Sequence, residues 1–247
     1  MNNLKKLSKK ELLFEISNLI VELLLIIFGF IGLYINLSSN SGFMAGIKVM
    51  FTYFTIQSNV TIILITLIIF ILRLVELFTN KKLVKNYLLV IKFMFTIAIS
   101  VTFFVFFLML APSQEVSYLL SMSNLTVHAI VPLLAIIDYF VFDKDIKFNK
   151  FNPLTGTLMP LYYLIFVYGI CLPLGITFGG NLKFPYFFLD YETLTWFNIS
   201  DKGIGVFYYI LILLFAIIGL SYLYAFLNNL FHHKKFFSFK RKEEVKE

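Results

Sequence analysis

Two stretches of this sequence place polar side chains at helical spacing inside long apolar runs. In the first, Thr52, Thr55, Ser58 and Asn59 stand at positions i, i+3, i+6 and i+7, so a helix would carry them on one face. A polar side chain that faces lipid without a partner costs several kcal/mol, so we expect this face to point into a helix bundle. There it could line a polar cavity, or it could serve packing, because Ser, Thr and Asn often hydrogen-bond between membrane helices.

The second stretch carries Ser121, Asn124 and His128, again on one helix face at i, i+3 and i+7. Of the three histidines, only His128 lies in one of the long apolar runs, and the other two stand in the basic C-terminal segment. A neutral imidazole is the side chain best suited to move a proton near neutral pH, although a buried histidine can also be a packing residue. Pro132, four residues later, has no N–H to donate and should loosen the helix beside His128.

The composition identifies lipid as the solvent of these segments. Of the 247 residues, 60% are hydrophobic and 14% are charged, whereas soluble domains are about half apolar and about a quarter charged. This excludes a soluble enzyme and a disordered tail, and the single cysteine, Cys171, excludes an internal disulfide framework. A membrane crossing of about 30 Å takes roughly 20 helical residues. The sequence therefore predicts an all-α polytopic membrane protein with six transmembrane helices, at about 16–37, 51–72, 88–110, 119–142, 158–178 and 203–226.

Positive charges give the six predicted helices a direction. Lys and Arg collect in the tails 1–15 and 232–247 and in the second and fourth connections, whereas only three lysines lie in the opposite connections. This asymmetry predicts that both tails are cytoplasmic and flank one transmembrane domain, 16–231. The net charge of +7 then reflects topology and attraction to anionic lipid rather than binding of nucleic acid. The Lys-, Asn-, Ile- and Phe-rich composition indicates a bacterial cell membrane.

The predicted topology brings separate polar residues to similar depths. Thr55 would lie about 6 Å and His128 about 14 Å inside the outer ends of their helices, at 1.5 Å per residue, so both belong to the outer half of the bilayer. Glu22, Lys92 and Asp138 lie near cytoplasmic ends, where we expect an ion pair of Lys92 with Asp138 or Glu22, and a proton path is the alternative. Asp138 lies about 15 Å along the helix from His128, too far to complete a catalytic triad.

Three motifs, in matching order, resemble a known family. Phe-Thr-Ile-Gln-Ser-Asn at 54–59 resembles the Phe-Thr-Ile-x-Ser-Asn signature of the Pr-six-Pr group of bacterial six-span membrane proteins. Asn-Leu-Thr-Val-His at 124–128, followed by Pro132 and Asp138, resembles a pattern of the same group and of the androgen-induced-gene-one-like proteins of animals. Phe-Pro-Tyr-Phe-Phe-Leu-Asp at 184–190 is similar to their Tyr-Pro-Phe-Leu loop before the last span.

The androgen-induced-gene-one-like proteins, which the motifs resemble, are membrane threonine hydrolases that cleave fatty acid esters of hydroxy fatty acids. By position, the resemblance implies Thr55 as the nucleophile and His128 as the general base, with Thr52 as the nucleophile if the alignment slips by one turn. Such a base activates a hydroxyl by taking its proton. Asn124 lies one turn before His128, and Asn59 lies one turn after Thr55. Either could orient the imidazole ring or donate a hydrogen bond to an oxyanion. The implied partners are membrane lipids and a lipid ester substrate.

Two other functions fit the same residues. A non-enzymatic lipid or small-molecule binding or transport protein could use the same polar cavity, and a structural protein could use both polar faces for packing alone. The sequence contains no Walker loop, His-Glu-x-x-His, Cys-x-x-Cys or Gly-x-Ser-x-Gly motif and no cluster of His and Cys. It therefore predicts no metal and no cofactor.

Overall fold

The computed structural model describes residues 8–38, 52–79, 81–201 and 203–232. Six of its helices are long and apolar enough to cross a membrane, which confirms the prediction of an all-α polytopic membrane protein with six spans. These helices are α1 (Lys9–Ser38), α2 (Phe54–Thr79), α3 (Asn86–Ser113), α4 (Met122–Phe142), α5 (Asn152–Cys171) and α6 (Val206–Phe231).

Successive helices run in opposite directions, so α1 begins and α6 ends at the same end of the bundle, here called the proximal end. Glu15 near the start of α1 lies 3.6 Å from Lys144, which follows α4, and the end of α6 also packs beside α4. The opposite, distal end carries the starts of α2, α4 and α6. Lys48 and Lys202, which the sequence placed on this side, lie outside the described residues.

The helix boundaries differ from the predicted ones at both ends of the bundle. On the proximal side α1 begins at Lys9 and α2 ends at Thr79, each about seven residues beyond its predicted boundary. The distal side differs in two places. α5 ends at Cys171, earlier than predicted, and Gly175 turns the chain with a φ of 64° that glycine adopts without a steric penalty. α6 begins at Val206 because the residues before it form an antiparallel hairpin of β1 (Ile199–Ser200) and β2 (Gly203–Ile204). Hydropathy alone does not detect these changes, since the flanking residues remain apolar.

Three of the six spans leave the regular α-helical hydrogen-bonding pattern. α5 ends in a π-helical segment, Phe166–Cys171, and the other two lie beside the predicted site. α3 passes into a π-helical turn, Phe106–Leu110, and α4 contains another, Thr126–Ile130. The turn in α4 lies directly before Pro132, where the sequence predicted a loosened helix. Such π-helical turns are rare and occur frequently at functional sites.

Small residues let α1 approach its neighbours closely. Gly29 faces the side chain of Ile63 on α2, and a Cβ atom there would overlap with it. A Cβ on Gly32 would lie 2.7 Å from Oγ1 of Thr126 on α4. This use of glycine is common between membrane helices, where close backbone packing replaces the hydrophobic effect. The glycines therefore hold α2 and α4 against the same face of α1.

Charged side chains join α1, α2, α3 and α4 at the proximal side. Lys92 Nζ lies 2.7 Å from Asp138 Oδ2, 3.6 Å from Glu22 Oε1 and 3.0 Å from Asp143 Oδ1. The predicted pairing of Lys92 is thus confirmed with both expected acids. Arg73, which the sequence assigned to a connection, lies within α2, 3.1 Å from both Glu22 and Asp143. These five residues form the ion network, in which every member except Arg73 is fully or almost fully buried.

We expect Lys92→Met to lower the free energy of unfolding by about 3–5 kcal/mol, because it leaves three buried carboxyl groups facing one arginine. Thermal unfolding of the detergent-solubilised protein measures the change. Lys82→Met is the control, since Lys82 pairs with Asp145 at the surface, where an ion pair contributes about 1 kcal/mol or less. Equal effects of the two substitutions would contradict a stabilising role for the ion network.

Candidate functional site

The structure brings Thr55 and His128 together at the distal end of the bundle. Thr55 lies in the first turn of α2, and His128 lies in the π-helical turn of α4. Thr55 Oγ1 is 3.3 Å from His128 Nε2, within hydrogen-bonding range. His128 is almost completely buried, and Thr55 is partly buried. A hydroxyl and an imidazole in this arrangement can exchange a proton directly.

The second ring nitrogen of His128 determines which nitrogen can act as a base. His128 Nδ1 lies 3.3 Å from the main-chain oxygen of Asn124. A carbonyl oxygen only accepts hydrogen bonds, so this contact assigns the ring proton to Nδ1 in the neutral imidazole. Nε2 then presents its lone pair to the Thr55 hydroxyl. Phe106 stacks on the ring with centroids 3.8 Å apart and planes inclined by 19°, which fixes its orientation.

Asn59 connects α2 to α4 beside this pair. Its amide nitrogen donates to the main-chain oxygen of Thr55 at 2.8 Å and to that of Val127 at 3.0 Å. In a π-helix each N–H donates to the main-chain oxygen five residues earlier, as Val131 N–H does to the Thr126 oxygen. The N–H of residue 132 would therefore donate to the Val127 oxygen. Pro132 has no N–H, so Asn59 supplies the missing donor.

The remaining polar residues of the two predicted faces have supporting positions. Ser58 donates to the main-chain oxygen of Thr55 at 2.9 Å and pairs with the hydroxyl of Thr102 on α3 at 2.7 Å. The side-chain amide of Asn124 donates to the main-chain oxygen of Leu119 at 3.0 Å, so Asn124 orients His128 through its backbone. Thr52 is buried, and its main-chain oxygen accepts a hydrogen bond from Tyr163 at 2.7 Å.

The geometry also limits what the two asparagines can donate. Both amide hydrogens of Asn59 are used by main-chain oxygens, so this side chain holds the pair in place and has none left for an oxyanion. The side-chain oxygens of Asn59 and Asn124 are buried and have no hydrogen-bond partner among the described residues. They are acceptors, which suits a water or a substrate hydroxyl rather than negative charge.

Tyr186 is a site residue that the sequence did not predict. Aromatic rings in such loops usually settle in the headgroup layer. In the distal loop, residues 172–205 between α5 and α6, the rings of Tyr191 and Trp196 stack with centroids 5.3 Å apart. Tyr186 instead turns inward, where its phenol interacts with the side chain and backbone of Thr55. Its ring stacks on Phe188 with an interplanar angle of 3°. A phenol beside Thr55 can donate to an oxygen atom that develops negative charge.

A cavity of about 90 Å³ reaches Thr55 from the space between α3, α5, α6 and the distal loop. Its few polar groups belong to Thr55, Thr102, Tyr163 and Tyr186 at the end nearest α2. The rest of its wall is formed by aliphatic and phenylalanine side chains. An apolar cavity with a few convergent polar groups is typical of a small-molecule site.

Among the described residues, no three His, Cys, Asp or Glu side chains are grouped so that they could hold a metal ion. Comparison of the chain with models of known protein families, with curated proteins and with solved structures finds no match.

We expect Asn59→Leu to lower the free energy of unfolding by about 1–2 kcal/mol, because the Val127 oxygen loses its donor in an apolar environment. In a Pro132→Ala background the same substitution should cost at least about 0.5 kcal/mol less, since an alanine at this position restores the backbone N–H. Thr61→Ala is the control, because Thr61 donates only within α2. Strictly additive effects of Asn59→Leu and Pro132→Ala would contradict this pairing.

Proposed function

We propose that the protein is an intramembrane threonine hydrolase that cleaves lipid or fatty acid esters. The observation that carries this proposal is the 3.3 Å contact of the Thr55 hydroxyl with His128 Nε2. It lies at the polar end of an otherwise apolar cavity, which suits an ester with a hydrophobic acyl group. The motif at 124–128 resembles a pattern of the animal membrane threonine hydrolases, which favours the same assignment.

The first half-reaction would transfer the acyl group to the enzyme. His128 Nε2 takes the proton from Thr55 Oγ1 as that oxygen attacks the carbonyl carbon of the ester. The tetrahedral intermediate then collapses, the bond from the carbonyl carbon to the alcohol oxygen breaks, and His128 returns the proton to the leaving alcohol. The products of this step are a free alcohol and an ester of Thr55.

The second half-reaction would release the fatty acid. A water molecule gives a proton to His128 Nε2 and its oxygen attacks the acyl carbon on Thr55. The bond to Thr55 Oγ1 breaks, and this oxygen recovers the proton from His128. Thr55 lies in the first turn of α2, close to the distal end of the bundle. Water from the membrane surface therefore has a short path to the acylated residue.

Tyr186 is the group best placed to stabilise the negative charge of both intermediates. Its phenol interacts with Thr55, and a donor at that position would act on the carbonyl oxygen as the negative charge develops there. His128 works in this scheme without an acid partner. The Asn124 carbonyl fixes the ring, whereas Asp138 is occupied by Lys92 at the proximal side. The catalytic unit is thus a dyad of Thr55 and His128.

We further propose that both termini are cytoplasmic and that the protein resides in a bacterial cell membrane. The tails and proximal connections carry most of the Lys and Arg residues, and such residues are retained on the cytoplasmic side. The dyad, at the distal end, would then work in the outer half of the bilayer. The ester substrate would be drawn from the outer leaflet.

The direct test is hydrolysis of p-nitrophenyl esters by the purified protein in nanodiscs. We expect Thr55→Ala and His128→Ala each to lower kcat by about 100-fold or more, because each removes an atom that moves in the reaction. Thr55→Ser should keep part of the activity, since it retains the hydroxyl. Thr61→Ala should behave as the unchanged protein, because its hydroxyl points into its own helix.

The melting temperature of each variant shows that loss of activity is not loss of fold. Turnover that survives in both Thr55→Ala and His128→Ala would contradict the proposed dyad. A different result would support a lipid-binding protein that uses the same cavity. In that case lipid esters would raise the melting temperature of the unchanged protein and of Thr55→Ala equally, and no variant would show turnover.

A further inference from the structure

A second cavity opens on the lipid-facing side of α3 and α6. It has a volume of about 280 Å³ and an apolar lining that includes Phe104, Leu108, Ala216 and Leu220. Leu108 is 73% exposed, and Ala216 is also exposed. In a bilayer this surface faces hydrocarbon, so the cavity, here called the α3–α6 groove, is open to the acyl chains of lipids.

The α3–α6 groove borders the cavity at Thr55. The two spaces share four lining residues, Val101, Val105, Leu213 and Ile217. All four are aliphatic, so the boundary between the groove and the cavity presents no polar side chain. This shared apolar boundary distinguishes the groove from an ordinary crevice on the outside of a membrane protein.

The combined length of the two spaces fits one lipid acyl chain. On α6 their lining extends from Ile210 to Leu220, which is about 15 Å along the helix axis. This is half of a hydrocarbon core of about 30 Å, so it equals the depth of one leaflet. Since α6 starts at the distal end with Val206, the two spaces together extend from near the dyad to near the middle of the bundle.

Building on the hydrolase function above, we propose that the α3–α6 groove binds the long acyl chain of a lipid ester in a single leaflet. The ester carbonyl would reach Thr55 while the methyl end points to the bilayer centre. The substrate class is then an ester of a long, unbranched fatty acid. Ala216, the smallest side chain of this lining, leaves the space that the chain occupies.

The π-helical turn of α3 connects the groove to the dyad. Phe106 from this turn stacks on His128 and lines the cavity, whereas Leu108 and Met109 from the same turn line the groove. Leu110, at its end, lines the cavity again. An acyl chain in the groove would contact the same segment that orients the imidazole.

The test compares hydrolysis of p-nitrophenyl palmitate with that of p-nitrophenyl acetate by the full-length protein in nanodiscs. We expect Ala216→Trp to lower the ratio of long-chain to short-chain kcat/KM by about tenfold or more, because the indole removes buried contacts from several methylene groups. Phe215→Trp is the matched control, since Phe215 is adjacent on α6, is 68% exposed and lines neither cavity. It should leave the ratio unchanged.

An unchanged ratio in Ala216→Trp, or equal falls in both tryptophan variants, would overturn the proposal. Photolabelling with a palmitic acid that carries a diazirine near its methyl end separates this result from a failure of the hydrolase function. In Thr55→Ala the label should map to α3 and α6 around Leu220, and Ala216→Trp should abolish it. A label on other helices would overturn the groove as a binding site even if the dyad hydrolyses esters.

Discussion

A polar side chain inside a bilayer has no water to bind, so it must find its partner within the bundle. At the proximal side this constraint gathers four charged residues of the first four helices, and Asp143 directly after α4, into the ion network. At the distal side Pro132 leaves the Val127 carbonyl without a backbone donor, and Asn59 supplies one at 3.0 Å. That bond joins α2 to α4 beside the contact of Thr55 with His128.

The irregular turns of α3 and α4 give the distal site its form. Both are π-helical, and they meet where Phe106 stacks on His128. The imidazole is thereby held by helices rather than by a flexible loop, with Nε2 directed at the Thr55 hydroxyl. The apolar cavity reaches the same hydroxyl, and the α3–α6 groove borders that cavity on its lipid-facing side.

Much of this arrangement follows from periodicity, because a helix with a 3.6-residue repeat must turn the polar faces of α2 and α4 inward. That reasoning predicted that Thr55 and His128 lie on inward faces at similar depths, and the family resemblance implied that they form a pair. It missed the position of Arg73 within α2, because the predicted helix ends before the first charged residue. The sequence does not show that buried acids neutralise this charge. It also missed the inward turn of Tyr186, since aromatic loop residues usually settle among headgroups. The role of Asn59 depends on the π-helical register of another helix, which local sequence patterns do not reveal.

The central claim is that His128 activates the Thr55 hydroxyl as a nucleophile. Its most direct test is to treat the purified protein with a fluorophosphonate, which bonds to activated hydroxyl groups, and to locate the adduct by peptide mass spectrometry. We expect the adduct on Thr55 in the unchanged protein and its loss in His128→Ala at an unchanged melting temperature. An adduct on Thr52 or Ser58, or labelling of Thr55 that does not depend on His128, would contradict the claim.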